Sequence, residues 1–323
     1  MTRFVLTRLI ETMVVILIMS FVIYGLIGLM PGDPIDLMIS ANPHLTPADA
    51  VRLRALYGLD QPIFERYLNW LIAALQGDFG YSRTYAKPVL DILAPRLMNS
   101  LLLMGVSFAL SVAIALPLGI YAALRPRSLI DHAINLFCFA GISIPVFWLA
   151  LLLIILFSVI LGWLPASGMA TVGIDSLGDR LSHLALPVLT LTLAQLATYT
   201  RYMRAAMIET LQADFIRTAR AKGAGKLRVV LRHGLRNALI PVATILALSF
   251  GTLFSGALIT ETMFAYLGMG KLIFDSIMGN DFNLALVGLL FATLITLLAN
   301  LAADLAYAWL DPRISYDTLG RKR

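Results

Sequence analysis

Nine of the chain's 25 lysines and arginines are gathered between Arg201 and Arg236, a stretch that includes Asp-Phe-Ile-Arg-Thr-Ala-Arg-Ala-Lys-Gly at 214–223. These residue types hold no nucleophile beside a base and no pair of facing carboxylates. What they offer is charge and shape, the chemistry of a docking element. Residues 201–222 predict helix, and nothing breaks the 214–222 part before Gly223. Ala219 and Ala221 keep that helix slim enough to lie in a partner's groove, with Arg217, Arg220 and Lys222 supplying charge around the contact. Gly223 and Gly225 permit a sharp turn, and Leu227, Val229, Val230 and Leu231 lead on to Pro241. A solvated basic loop without a partner has the same composition, so on residue chemistry alone both readings stay open.

Other chemistries have little support. The chain lacks Gly-x-x-x-x-Gly-Lys-Ser/Thr, so it has no familiar loop for cradling nucleotide phosphates. It also lacks the Gly-x-Ser-x-Gly and His-Glu-x-x-His arrangements of hydrolases. Cys138 is the single cysteine and lies in an apolar run, which excludes a disulfide framework. His44, His132, His183 and His233 show no ligand spacing, so no metal and no cofactor is expected on this chain.

The elements that must position the basic stretch are lipid-length. Hydrophobic residues make up 59% of the 323 positions, charged residues only 14%, and the mean hydropathy is +0.83. A soluble domain is nearer half apolar and a quarter charged, so the expectation is an all-α integral membrane protein. Apolar segments at about 9–30, 100–124, 133–163, 185–203, 238–260 and 283–310 are each long enough to cross a hydrocarbon core of ~30 Å as a helix. The third is overlong and contains Pro145, so a tilt, kink or interfacial stretch is expected there. The N-terminal run follows Arg3 and Arg8 and has no cleavage signature, so it reads as a retained first helix.

Six crossings put both termini on one side. If that side is cytoplasmic, 17 basic residues lie inside and eight outside, six of the eight in the long segment 31–98. The net charge of +6 is explained by this orientation and not by nucleic acid. The expected division is a first helix to residue 30 and an extracytoplasmic helical lobe over 31–98. A core of five helices over 99–312 follows, with the basic loop at 201–237, and then a tail over 313–323. Within the lobe, helices are predicted over 46–57 and 62–76, each opened by a proline, with Gly-Asp-Phe-Gly (77–80) breaking the pattern. Near the spans, Glu11 can snorkel, Asn300 can bond across helices, and Asp304 can pair with Arg201 or Arg204.

Arg-Thr-Ala-Arg-Ala-Lys-Gly, followed by His-Gly-Leu-Arg-Asn-Ala-Leu-Ile-Pro (233–241), resembles the cytoplasmic signature of ABC-transporter importer permeases of the dipeptide and oligopeptide branch. Other stretches match in order. They are Met-Pro-Gly-Asp-Pro (30–34), Tyr-Gly-Leu-Asp-Gln-Pro (57–62), Gly-Asp-Phe-Gly (77–80), Gly-Ile-Ser-Ile-Pro-Val-Phe-Trp (141–148), Glu-Thr-Met-Phe (261–264) with Gly268 and Gly270, and Asp-Pro-Arg (311–313). The resemblance implies a type I importer permease fold with six transmembrane helices. It further implies a second homologous permease, two cytoplasmic ATPases carrying ATP and Mg, and an extracytoplasmic solute-binding protein, set in the lipid of a bacterial inner membrane. It gives residues 217–223 the role of a coupling helix seated in an ATPase cleft. The wider superfamily favours Glu-Ala-Ala where this chain has Arg217-Thr218-Ala219.

The implied activity is ATP-driven import of dipeptides or oligopeptides by alternating access, with nickel chelates or glutathione as alternative cargoes. An ion-coupled secondary transporter would need clustered acids or inverted repeats in the spans, which are not seen. Ser143 and Pro145 are candidates to line a central passage. Glu261 is a candidate gate or binding-protein contact, although the 261–270 stretch also fits an ordinary interfacial loop with Phe264 and Tyr266 at the membrane surface.

Overall fold

The computed structural model describes residues 2–29, 46, 51–52 and 61–310, and among them the only regular structure is helical. Helix α1 (Thr2–Gly28) lies at the edge of the bundle. Its apolar residues face outward along most of its length, with Ile23 and Ile27 buried against Ala285 and Leu286. Helix α2 (Ile63–Leu75) follows Pro62 and packs an aromatic cluster, Tyr67 and Trp70, onto Phe21 and Tyr24 of α1. The expected helix over 46–57 and the segment 31–45 lie almost wholly outside the described residues, as does the tail beyond Leu310.

Helix α3 (Val89–Leu124) starts well before the expected residue 100. Pro88 sets its first turn, and Val89, Ile92 and Leu93 are buried, so this part of the assigned lobe is an extension of the core. The overlong third segment is not one rod. Helix α4 (Leu129–Ser143) stops at Ile144, whose backbone is extended. Helix α5 (Val146–Leu153) then runs into a π-helical segment, Ile154–Ile160. The two halves meet at 106°. Pro145 is the cause: it lacks an amide, and its ring pushes Ile144 out of the helical region. Among the described residues, five helices are therefore long and apolar enough to span, or six when the bent pair counts as one.

Helix α6 (Leu177–Gln212) is the central post, packed by α3, α4, α5 and the long helix that follows the basic stretch. A Cβ on Gly119 of α3 would lie 2.7 Å from Met203 Cβ and 2.8 Å from Thr200 O, so the missing side chain lets α3 touch the α6 backbone. After α6 come α7 (Asp214–Ala221), the short α8 (Lys226–Arg228), a second π-helical segment (Val229–Leu235) and α9 (Arg236–Met263). Helices α10 (Met269–Met278) and α11 (Phe282–Leu310) complete the bundle. One buried cluster, including Met203, Met207, Ala238 and Val242, lies at the end that carries the basic loop. The larger one, including Leu93, Leu103, Phe264 and Leu272, lies toward the opposite end.

Candidate functional site

The basic stretch folds as a self-contained helix standing across the end of the bundle. Ala213 is extended and ends α6, and α7 restarts at Asp214. The end of α7 follows from Gly223, whose φ is +79°. The Gly223 amide donates to Arg220 O at 2.9 Å and the Ala224 amide to Ala219 O at 3.1 Å, the paired bonds of a left-handed helix stop.

Helix α7 has two faces. Ile216 and Ala219 are buried against the body of the chain, so the small Ala219 serves close approach inward, not outward. Phe215, Arg217, Thr218, Arg220, Ala221, Lys222 and Gly223 are exposed. Arg217 pairs with Asp214 at 3.3 Å, an exposed contact of little energetic weight. Beside α7 lies an open cleft of ≈ 930 Å³ between the ends of α3 and α6 and the residues around α8, lined by Leu124, Ile208, Leu211, Arg220, Lys226 and Leu227 among others. The cleft thus has an apolar floor and a cationic rim, with Arg220 at the end of α7 on its lining.

A buried ion pair braces this end. Asp131 is 2% exposed and receives Arg204 Nε at 2.6 Å and Nη2 at 2.8 Å. The Arg127 amide and Asn135 Nδ2, both at 2.9 Å, complete its shell. The pair ties the start of α4 to α6. Arg204 is thus engaged by Asp131; the side chain of Asp304 lies outside those described, and Arg201 stacks over Tyr202. Ser128, three residues before Asp131, caps α4 by accepting the Asp131 amide at 3.2 Å, a local signal from which Asp131 could have been found.

Ser143 and Pro145 sit at the 106° bend and are exposed, next to the exposed Ile142, Phe147 and Trp148. The Ser143 hydroxyl donates to Phe139 O at 2.9 Å, so it is turned onto its own helix. Glu261 is placed differently from a residue lining a passage, because it is fully buried. Its Oε1 accepts from Ser100 Oγ of α3 and its Oε2 accepts from the Lys271 amide of α10 at 3.1 Å. Ser100 Oγ in turn accepts from the Met269 amide at 2.7 Å. Phe264 and Tyr266 are also buried, so the stretch is not an aromatic interfacial loop either. Burial pushes the Tyr266 phenol up to about 12, with the Glu261 carboxylate adding to the shift.

Residues 77–84 hold the other end of α10. Ser82 Oγ and the Thr84 amide both donate to buried Asp281, and Arg83 Nη2 donates to Gly279 O. A further cluster straps the loop before α6: Thr171 Oγ1 donates to Asp179 at 2.7 Å, and buried His183 lies 3.8 Å from the same carboxylate. Ser100, Asp131, Asp281 and His183 were not singled out by sequence. Their long-range partners lie far away along the chain; the near ones, Arg127 and Asn135 four residues either side of Asp131 and Asp179 four before His183, have a spacing that a helical reading could have caught.

Two family descriptions cover almost the whole chain. Residues 115–316 match the binding-protein-dependent transport system inner membrane component, and residues 1–104 match the N-terminal region of the membrane component of such systems. The chain is 39% identical over 318 residues to the oligopeptide transport system permease protein AppB of Bacillus subtilis, covering 98% of this chain and all of that one. It is 40% identical over 316 residues to a putative peptide permease protein of Brucella suis, covering 97% and 99%. It is 38% identical over 316 residues to the glutathione transport system permease protein GsiC of Escherichia coli, covering 98% and 100%. In fold it is similar to an inward-facing structure of the MetNI methionine ABC transporter, with a TM-score of 0.55, 20% identity, and 69% of this chain and 97% of that one covered. The chain belongs to the inner-membrane components of binding-protein-dependent transport systems, in the peptide branch of the ABC importer permeases.

Proposed function

We propose that this permease passes dipeptides or oligopeptides inward, driven by ATP that is bound and hydrolysed on separate subunits. In this reading it pairs with a second, homologous permease, and two cytoplasmic ATPases dock at the basic end. An extracytoplasmic solute-binding protein delivers cargo at the opposite end. Both termini and α7 then face the cytoplasm, in accord with the charge bias of the loops. The permease forms and breaks no bond. It converts displacement of α7 into alternate opening of the two ends, and cargo shifts that equilibrium only by binding the two states unequally. The resemblance to AppB favours peptides, and the resemblance to GsiC keeps glutathione as the second reading.

The observation that carries this function is the two-faced helix α7. It is anchored inward by Ile216 and Ala219 and presents Phe215, Arg217, Thr218 and Ala221 outward beside an open cleft. Gly223 keeps the helix short. Any side chain at its φ of +79° adds strain of about 1–2 kcal/mol, and a carboxylate there also faces a surface of the wrong sign for the proposed contact. Gly223→Glu is expected to abolish uptake with normal membrane insertion, whereas Gly223→Asn, which tolerates the left-handed region, retains it. A cysteine at Ala221 is expected to crosslink to a cysteine lining the ATPase cleft. Normal uptake by the Glu variant, or no crosslink from 215, 217, 218 or 221, rejects the assignment.

A further inference from the structure

We propose that Glu261 is a positioning residue of the transport cycle: it welds the ends of α3, α9 and α10 opposite the basic loop into one rigid cap. This rests on the coupling role of α7 and extends it to the far end of the molecule.

The geometry is that of a three-way joint. Glu261 leaves α9 just before its end, takes the Ser100 hydroxyl of α3 on one oxygen and the Lys271 amide of α10 on the other. The Ser100 oxygen also receives the first amide of α10, from Met269. A carboxylate at the N-terminus of a ten-residue helix is favourable as a cap, since that end carries a partial positive charge. Glu261 caps one α10 amide, from Lys271, and Ser100 caps another, from Met269. The bond between Glu261 and Ser100, 161 residues apart in sequence, joins the two caps and with them three helices.

The backbone is shaped around the joint. A Cβ on Gly268 would lie 2.2–2.4 Å from the Glu261 carboxyl atoms, and one on Gly270 would lie 2.5 Å from Leu258 Cα. Two glycines therefore let α10 close onto the acid. Asn99, next to Ser100, donates to Leu267 O at 2.8 Å, and the Gly168 amide donates to Phe264 O at 2.8 Å. Glu261 and Ser100 are inaccessible, so Glu261 has no surface role to explain the joint.

What makes the joint matter is its distance from α7. From Lys226 to Met263, α8, the π-helical segment and α9 follow one another with no loop between them, a helical rod of roughly 55 Å. One end begins three residues after Gly223. The other ends in the Glu261 joint. Motion given to the rod at α7 reaches the far face as movement of the entire cap, provided that α3 and α10 cannot slip against α9. A buried carboxylate bonded to both prevents that slip.

The test uses the assembled transporter in proteoliposomes, with both permeases, both ATPases and the binding protein. Spin labels at Met98 of α3 and Phe274 of α10, both exposed, report the cap directly. Their separation is expected to stay within about 2 Å between the nucleotide-free and ATP-arrested states, the scale of packed-helix adjustment. A larger change in the wild-type transporter overturns the rigid cap, whoever drives it. Glu261→Ala is expected to lower uptake per ATP by about tenfold or more, the scale of a lost coupling between sites, while basal ATPase activity is kept. Glu261→Gln keeps one acceptor oxygen, for the Lys271 amide, and turns its own amide toward the Ser100 oxygen, whose proton must then point elsewhere; it is expected to restore part of the coupling. Equal loss in both variants, or unchanged uptake in the Ala variant, overturns the proposal. Failure of α7 coupling itself is read separately, from the Gly223 variants.

Discussion

Asp131 shows how one residue can anchor a working surface. A buried carboxylate is expensive unless every lone pair is met, and Asp131 meets four donors from three directions. Arg204→Met removes two of them and leaves the charge buried, at a cost of about 3 kcal/mol. The detergent-solubilised protein should then melt at a clearly lower temperature. Asp131→Asn together with Arg204→Met should recover much of that loss, because the uncompensated charge is gone. Equal melting of the single and double variants would show that the pair does not brace this end. At this scale the sequence was legible where residues act through their neighbours. The helix stop at Gly223 is local and follows from residue type. Glu261 stood out as a charge beside a span, but its partner is 161 residues away, and no spacing rule links the two.

At the scale of elements, apolar length located the helices, and packing decided where they end. The expected 100–124 and 185–203 became Val89–Leu124 and Leu177–Gln212, because both run beyond the lipid-length part to bury more side chains against each other. Hydropathy reports only the part that lipid demands. Pro145 announced a disturbance, yet the size of the 106° turn comes from how α4 and α5 each find a face of α6. The π-helical segments at 154–160 and 229–235 left no mark in composition, since a wider turn changes the register and not the residue types. The crossing of α3 and α6 hinges on Gly119. Gly119→Ala places a methyl against Met203 Cβ and the Thr200 carbonyl, and backbone cannot yield as a side chain end does. A cost of about 1–3 kcal/mol is expected from such overpacking. Lower thermal stability of the purified protein checks it, and an unchanged melting temperature would mean that the two helices have room to part.

On the scale of the whole molecule, the surface says that the chain is incomplete as a machine. Large apolar residues are exposed along α1, α3, α4 and α5, including Phe139, Phe147 and Trp148 about the bend. Lipid covers some of this area. In the proposed assembly the second permease covers the rest, so that the bend with Ser143 and Pro145 faces a shared path. The charged surface is concentrated instead at α7 and the cleft beside it, where a soluble partner can reach it. In the proposed assembly, the energy for uphill movement of cargo is delivered by the ATPases through that surface. Reconstituted alone in liposomes, the chain should therefore accumulate no peptide against a gradient, with or without ATP or an imposed proton gradient. Adding the sister permease, both ATPases and the loaded binding protein should start ATP-dependent accumulation, and Gly223→Glu should stop it again. Uphill uptake by the lone chain under a proton gradient would make it a secondary transporter and leave α7 with nothing to couple.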